Sequence, residues 1–134
     1  MITREDLESD LLRLGVEYEE VDDGMWVLRP EDGPPVVVQA LPPVVVLRIK
    51  VFELPGDPGD ARFLDLFRTL LELNATDVVH GSYGIEGNDV ILSDALEFET
   101  LDFQELRSSY ESLLFTASSH AQRLAGLLRV AHEG

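Results

Sequence analysis

The apolar positions of Ala61–Asn74 (ARFLDLFRTLLELN) recur with helical spacing and fill about half of a helical wheel: Phe63, Leu64, Leu66, Phe67, Leu70, Leu71 and Leu73. A helix that covers one sheet needs an apolar stripe of only about 100°. The surplus predicts a second covering partner. Phe63, Phe67, Leu70 and Leu71 are expected to meet the sheet. Leu66 and Leu73 on the flank, with Leu70 beside them, are expected at the contact of a homodimer.

Spacing also gives the other elements. Thr3 and Asp6 form a capping box, with Asp in the usual Glu position, opening a helix that carries Leu7, Leu11 and Leu14 and is closed by Gly15. Val16–Asp23 is acidic and extended, Gly24 marks a turn, Met25–Arg29 reads as a strand and Pro30–Pro35 as a polar turn. Two β-branched runs, Val36–Leu41 and Val44–Phe52, flank Pro42-Pro43, which cannot sit inside a ladder and marks a bend. Alternation places Val45, Leu47, Ile49 and Val51 on one face of the second run, and Val44, Val46, Arg48, Lys50 and Phe52 on the other. A face bearing Arg48 and Lys50 is wet. Val44, Val46 and Phe52 on it are either ordinary exposed apolar residues or a patch that a partner covers.

Pro55–Asp60 is a linker ending in a candidate N-cap, Asp60. Past the helix, Gly87-Asn88 signals a two-residue hairpin. The strand after it, Asp89–Thr100, aligns Val90, Leu92, Leu96 and Phe98, and Asp94 on the same face predicts a bulge or strand end. Asp102 with Glu105 gives another capping box, and Leu101 with Leu106 its hydrophobic staple. Apolar residues then hold a 3-4 spacing from Phe103 to Ala131, which predicts one long helix lying across the sheet in preference to a coiled coil. The expected fold is α+β, a single domain over residues 1–134 in the order α-β-β-β-α-β-β-α, an antiparallel sheet packed by helices.

Composition narrows the function. The 134 residues suffice for one core. With 26 Asp and Glu against 10 Lys and Arg, the net charge of −16 repels phosphate backbones and anionic membranes, so neither direct nucleic-acid binding nor membrane binding is expected. The absence of cysteine excludes disulfides, thiol catalysis and thiolate metal sites. MITREDLESD has no basic region followed by an apolar core, and Val36–Leu47 is interrupted by Gln39 and Pro42-Pro43, so the expected compartment is the cytoplasm.

Candidate chemistry is sparse. His80 precedes Gly81-Ser82-Tyr83-Gly84, but Ser82 directly follows Gly81 and does not fit the G-x-S-x-G elbow. His120 lies in the apolar seam of the last helix, and His132 near its end. Asp57 and Asp60 lie in a Pro-Gly loop without an EF-hand pattern, and loop aspartates serve mostly turns and caps. Gly81, Gly84 and Gly87 fall before and within a hairpin, so no phosphate cradle is implied. No catalytic, cofactor or metal residue is assigned.

The run LFRTLLELNATDVVHGSYGIEGNDVILSDALEFETLDFQELRSSYESLL, Phe67–Leu114 with Leu66 before it, resembles the core of YbjN-like bacterial proteins. The features that carry the resemblance are Leu70–Ala75 (Leu-x-x-x-Asn-Ala), the hairpin and apolar strand of Gly81–Thr100, and Leu101-Asp102 opening the last helix. The element order is also similar to that of class I type III secretion chaperones of the Tir-chaperone type. The resemblance implies a small, acidic, non-enzymatic homodimer that holds a disordered or extended segment of a partner protein against apolar surface. Two other readings stand beside it: a regulatory module of a bacterial signalling pathway, and a metal-dependent enzyme built on Asp57, Asp60, His80 and Asp94.

Overall fold

The computed structural model of the chain describes residues 2–133, so the first and last positions of the expected domain lie outside the described residues. Helix α1 (Arg4–Arg13) begins as its sequence dictates: the Thr3 hydroxyl accepts from the Asp6 N–H, and the Asp6 carboxylate accepts from the Thr3 N–H. Strands β1 (Glu17–Asp22), β2 (Met25–Arg29), β3 (Val36–Leu41) and β4 (Val44–Glu53) follow. A 3-10 turn (Ala61–Phe63), capped by Asp60, leads into α2 (Leu64–Thr76). Strands β5 (Ser82–Glu86) and β6 (Asp89–Glu97) form the hairpin around Gly87-Asn88, with Gly87 at φ 61°. The chain closes with the 31-residue helix α3 (Phe103–Glu133), at whose start the Asp102 carboxylate accepts from the Glu105 N–H.

All six strands form one antiparallel sheet in the order β1-β2-β3-β4-β6-β5. The acidic segment expected to be merely extended is thus an outer strand, adding one strand to the expected order. An edge position suits it, because charged side chains there stay in water and discourage further pairing.

The core lies on one side of the sheet. Trp26, Leu28, Val36, Val38, Val45, Leu47, Ile49, Val90 and Leu92 point to that side and are buried against Leu7 and Leu11 of α1, Leu66, Leu70 and Leu73 of α2, and Leu106, Leu113 and Leu124 of α3. Each such side chain contributes about 1.5–3 kcal/mol by leaving water. Arg13 of α1 stacks over Phe103 of α3 at 4.0 Å, which fixes α1 beside the start of the long helix. Gly81, at φ 80°, lets the chain pass the Ser93 carbonyl, which a Cβ there would meet at 2.1 Å.

Two local expectations are corrected. Asp94 does not disturb β6: it stays in register opposite Leu47, and its inward carboxylate accepts from the buried Ser109 hydroxyl of α3 at 2.7 Å. The irregularity lies in β4, where the register slips between Lys50 and Phe52 and Val51 is the extra residue. Past that bulge Phe52 pairs with Val90, a core residue, and packs against the core. The bulge therefore moves Phe52 off the face it was expected to share with Val44 and Val46.

Candidate functional site

Among the described residues all three helices lie on one side of the sheet, and no element covers the other. Cross-strand register assembles it from Met25 and Val27 of β2, Val37 and Gln39 of β3, Val44, Val46 and Arg48 of β4, and Ile91, Ser93 and Ala95 of β6. Antiparallel sheets with one wet face usually alternate cleanly between apolar inside and polar outside. Here valine, methionine and isoleucine occupy much of the outside, half-buried only by one another. Arg48 reaches across to Glu86 at 2.8 Å, and Lys50 to Asp89 at 3.3 Å, so both bases are paired. Val44 and Val46 lie in this patch as expected from their alternation; Phe52 does not.

A second apolar surface lies where α2 meets β5. The expected division of the α2 wheel holds only in part: Phe63 and Leu70 are buried as expected, but Leu66 and Leu73 are buried with them and Leu71 is not. Leu66, Leu70 and Leu73, assigned to a dimer contact, are 1%, 4% and 2% exposed within the single chain, whereas Leu71, assigned to the sheet, is 68% exposed. Phe63, Leu66, Leu70 and Leu73 follow one another at 3-4-3 spacing and form a single stripe, and that stripe is the one turned inward. What remains outside is Leu64, Phe67 and Leu71, with Ile85 of β5 across a cleft of about 330 Å³.

The β5 edge beside this cleft is blocked at Tyr83. The Asn74 side chain accepts from the Tyr83 N–H at 2.7 Å and donates to the Tyr83 carbonyl at 3.1 Å, satisfying the backbone groups that an incoming strand would pair. Asn74 belongs to the Leu-x-x-x-Asn-Ala run noted above, and a polar residue near a helix end was the only signal of its task.

Beneath β5, a carboxylate, an imidazole and a hydroxyl come into line. The Tyr83 hydroxyl lies 2.8 Å from His120 Nδ1, and Asp77 Oδ2 lies 3.4 Å from His120 Nε2. The order suggests a nucleophile relay, but the hydroxyl belongs to a 5%-exposed tyrosine whose pKa burial pushes up to about 12. Such a phenol stays protonated and has no access to a substrate. The chain of polar groups instead joins the end of α2, β5 and α3, and satisfies His120 inside the apolar seam where its spacing put it.

The residues of the metal-dependent reading are dispersed into structural tasks. Asp57 accepts from the Gly59 N–H, Asp60 caps the 3-10 turn and Asp94 holds Ser109. His80 Nδ1 is buried without a partner. Among the described residues, no three His, Asp or Glu side chains converge as metal ligands, and no helix is long and apolar enough to cross a membrane.

The CesT_Tir_1 family model matches residues 3–130. No curated protein matches the sequence significantly. Among solved structures, the chain is similar to one in the heterodimeric ExoU–SpcU complex from the type III secretion system of Pseudomonas aeruginosa, with 18% identity over 90% of this chain and 96% of that one and a TM-score of 0.65. A chain of the HopA1–SchA chaperone–effector complex gives 13% identity, 87% and 90% coverage and a TM-score of 0.61. YbjN from E. coli gives 13% identity, 92% and 96% coverage and a TM-score of 0.63. Both resemblances read from the sequence, to YbjN-like proteins and to secretion chaperones, are met in the fold. The chain belongs to the CesT_Tir_1 family, a chaperone-type rather than an enzymatic assignment.

Proposed function

We propose that this CesT_Tir_1 protein is a cytoplasmic, chaperone-like adaptor that forms a homodimer and holds an extended segment of another protein. The observation that carries this reading is the bare sheet face, where Val27, Val37, Val44, Val46 and Ile91 sit in positions that an isolated sheet gives to polar residues. A flexible segment laid across these strands withdraws that surface from water, and the net charge of −16 both keeps the free protein soluble and favours a neutral or basic segment. Relatives of the same fold include a chaperone–effector complex, which supports the same mode of action.

The dimer contact in this reading is the outward side of α2 with β5: Phe67, Leu71 and Ile85. Because Asn74 occupies the β5 edge, the two copies meet through side chains and not through a shared ladder. Light scattering on a size-exclusion eluate at micromolar concentration is expected to give about twice the 14.9 kDa of one chain. Leu71→Glu is expected to give a folded monomer. A monomeric wild-type protein refutes the dimer. For the partner, affinity capture with wild type and Val46→Asp side by side is the test, and a partner held equally by both refutes the sheet face as its site.

A further inference from the structure

Charge is unevenly spread along the last helix. Acidic residues make up 26 of the chain's 134, yet from Ser112 to His132 α3 carries no Asp or Glu. Glu111, paired with Arg107 at 2.8 Å, precedes this length, and Glu133 ends it. The same length holds the basic groups that are left over. From Arg4 to Arg107 every Arg and Lys pairs with a carboxylate. Among the described residues, Arg123 and Arg129 pair with none, and both are exposed.

The helix gathers these residues on one side. At about 100° per residue, Phe115, Ser119, Gly126 and Val130 fall within about 60° of one another, with Arg129 on one flank and Arg123 on the other. Leu113, Ala117, His120, Leu124 and Ala131 are buried on the opposite side, so this stripe points away from the core. Phe115 is 74% exposed and Val130 64%, and a Cβ on Gly126 would meet nothing.

Two ordinary causes cover only part of this. The helix dipole favours cations in the last turn, which accounts for His132 but not for Arg123, about three turns before the end. Single exposed apolar residues need no partner, but Phe115 and Val130 share one stripe with the two unpaired arginines.

We infer that this outward stripe of α3 is a docking surface for an acidic amphipathic helix of another protein. Phe115 and Val130 lie about 22 Å apart along the axis, which a partner helix of about four turns spans with apolar side chains at helical spacing. A carboxylate on each margin of that helix meets Arg123 or Arg129, and the small Ser119 and Gly126 let the two helices approach closely. The stripe shares no residue with the sheet face or with the α2–β5 cleft, and its charge selects the opposite kind of partner. The inference therefore stands apart from the adaptor reading. A second copy offers the acidic helix α1, but an α1-to-α3 contact joins unlike surfaces and runs on from copy to copy. Two arginines on a chain of net charge −16 are too few to hold a phosphate backbone.

The test uses the full-length protein and, as probe, a displayed library of amphipathic helices of about 20 residues with a fixed leucine stripe and randomised flanks. The tightest selected helix is resynthesised and its affinity measured by fluorescence anisotropy. Its flanks are expected to be rich in Asp and Glu, and its binding to weaken with salt. Arg123→Glu combined with Arg129→Glu is expected to weaken binding by about tenfold or more. Phe115→Ser should do the same, and both proteins should melt as wild type does, because these side chains are exposed. Val46→Asp and Leu71→Glu are expected to leave the helix bound. A selected helix with neutral or basic flanks overturns the inference, as does one lost in Val46→Asp and kept in the double arginine variant. Loss of dimer mass in the double variant assigns the stripe to a second copy and also overturns it. Duplex DNA held by wild type and released by the double variant overturns it in favour of a nucleic acid. A library that yields no binder overturns it as well, and leaves the adaptor reading standing.

Discussion

Leu66→Ala and Leu71→Ala, one turn and a residue apart on α2, should differ sharply in stability. Leu66 is 1% exposed and lies in the core between sheet and helices. Truncating a buried leucine costs about 2–5 kcal/mol, the transfer of the lost methyls plus the cavity left behind. Unfolding entropy of about 2.1 cal/mol/K per residue gives roughly 0.28 kcal/mol/K for 134 residues, so a cost near 3 kcal/mol lowers Tm by about 10 °C. Leu71 is 68% exposed, and with only about a third of its burial to lose it costs less than about 1 kcal/mol, or about 3 °C at most. Melts followed by circular dichroism at the lowest workable concentration keep self-association out of the comparison. Equal drops, or a larger one at Leu71, would mean that α2 is rotated from the orientation described, and the α2–β5 surface would lose its basis.

Tyr83→Phe should flatten the alkaline limb of stability. Burial holds this phenol at about 12 against an ordinary 10, so its neutral form stabilises the fold fully below pH 10 and progressively less as pH rises toward 12; denaturant melts across that window should show a shallower slope in the variant, and an unchanged slope refutes the assignment. Asn74→Ala should cost about 1–3 kcal/mol for the backbone groups of Tyr83 left unpaired, and should also raise light scattering on storage as the β5 edge opens; a variant that melts and scatters like wild type refutes the plug. Ser109→Ala should leave the inward Asp94 carboxylate without its hydroxyl and lower stability by about 1–3 kcal/mol, and a neutral result at neutral pH would mean that water replaces the hydroxyl there. Acidification should destabilise the start of α1, because the Thr3 backbone and side chain hold the Asp6 carboxyl below its ordinary value, and that stabilisation is lost as pH falls through the lowered pKa; amide exchange in the first turn reads it directly, and acid-independent exchange there contradicts the box.

Local signals in the sequence located the elements well, because caps, turn glycines and 2.0 or 3.6 spacing act within a few residues of where they are read. Thr3 with Asp6, Gly87-Asn88 and Asp102 do in the fold what their positions implied. The errors arose where a choice depends on something distant. With apolar residues around half of its circumference, α2 could turn either of two faces to the sheet, and the stripe of Phe63, Leu66, Leu70 and Leu73 is the one the packing buries. The β4 bulge at Val51 is invisible in the alternation of Val44–Phe52, since both registers bury a large apolar residue at the strand end. Asp94 looked disruptive only because its partner, Ser109, is 15 residues away. The uncovered sheet face followed from Val44 and Val46 in outline, but its extent required knowing that all three helices lie on the opposite side.

The Asn74 plug has a consequence for how far assembly can go. A protein whose sheet accepts a strand at both rims is a building block without an end, and each addition re-creates the acceptor for the next, the route to filaments. Here one rim is blocked at Tyr83 by the Asn74 amide, and the other carries Glu17, Glu19, Glu20 and Asp22, whose charge discourages pairing. With neither rim a ready template, copies of this chain are kept from extending one another's sheets, and the fold can be crowded without polymerising through its edges.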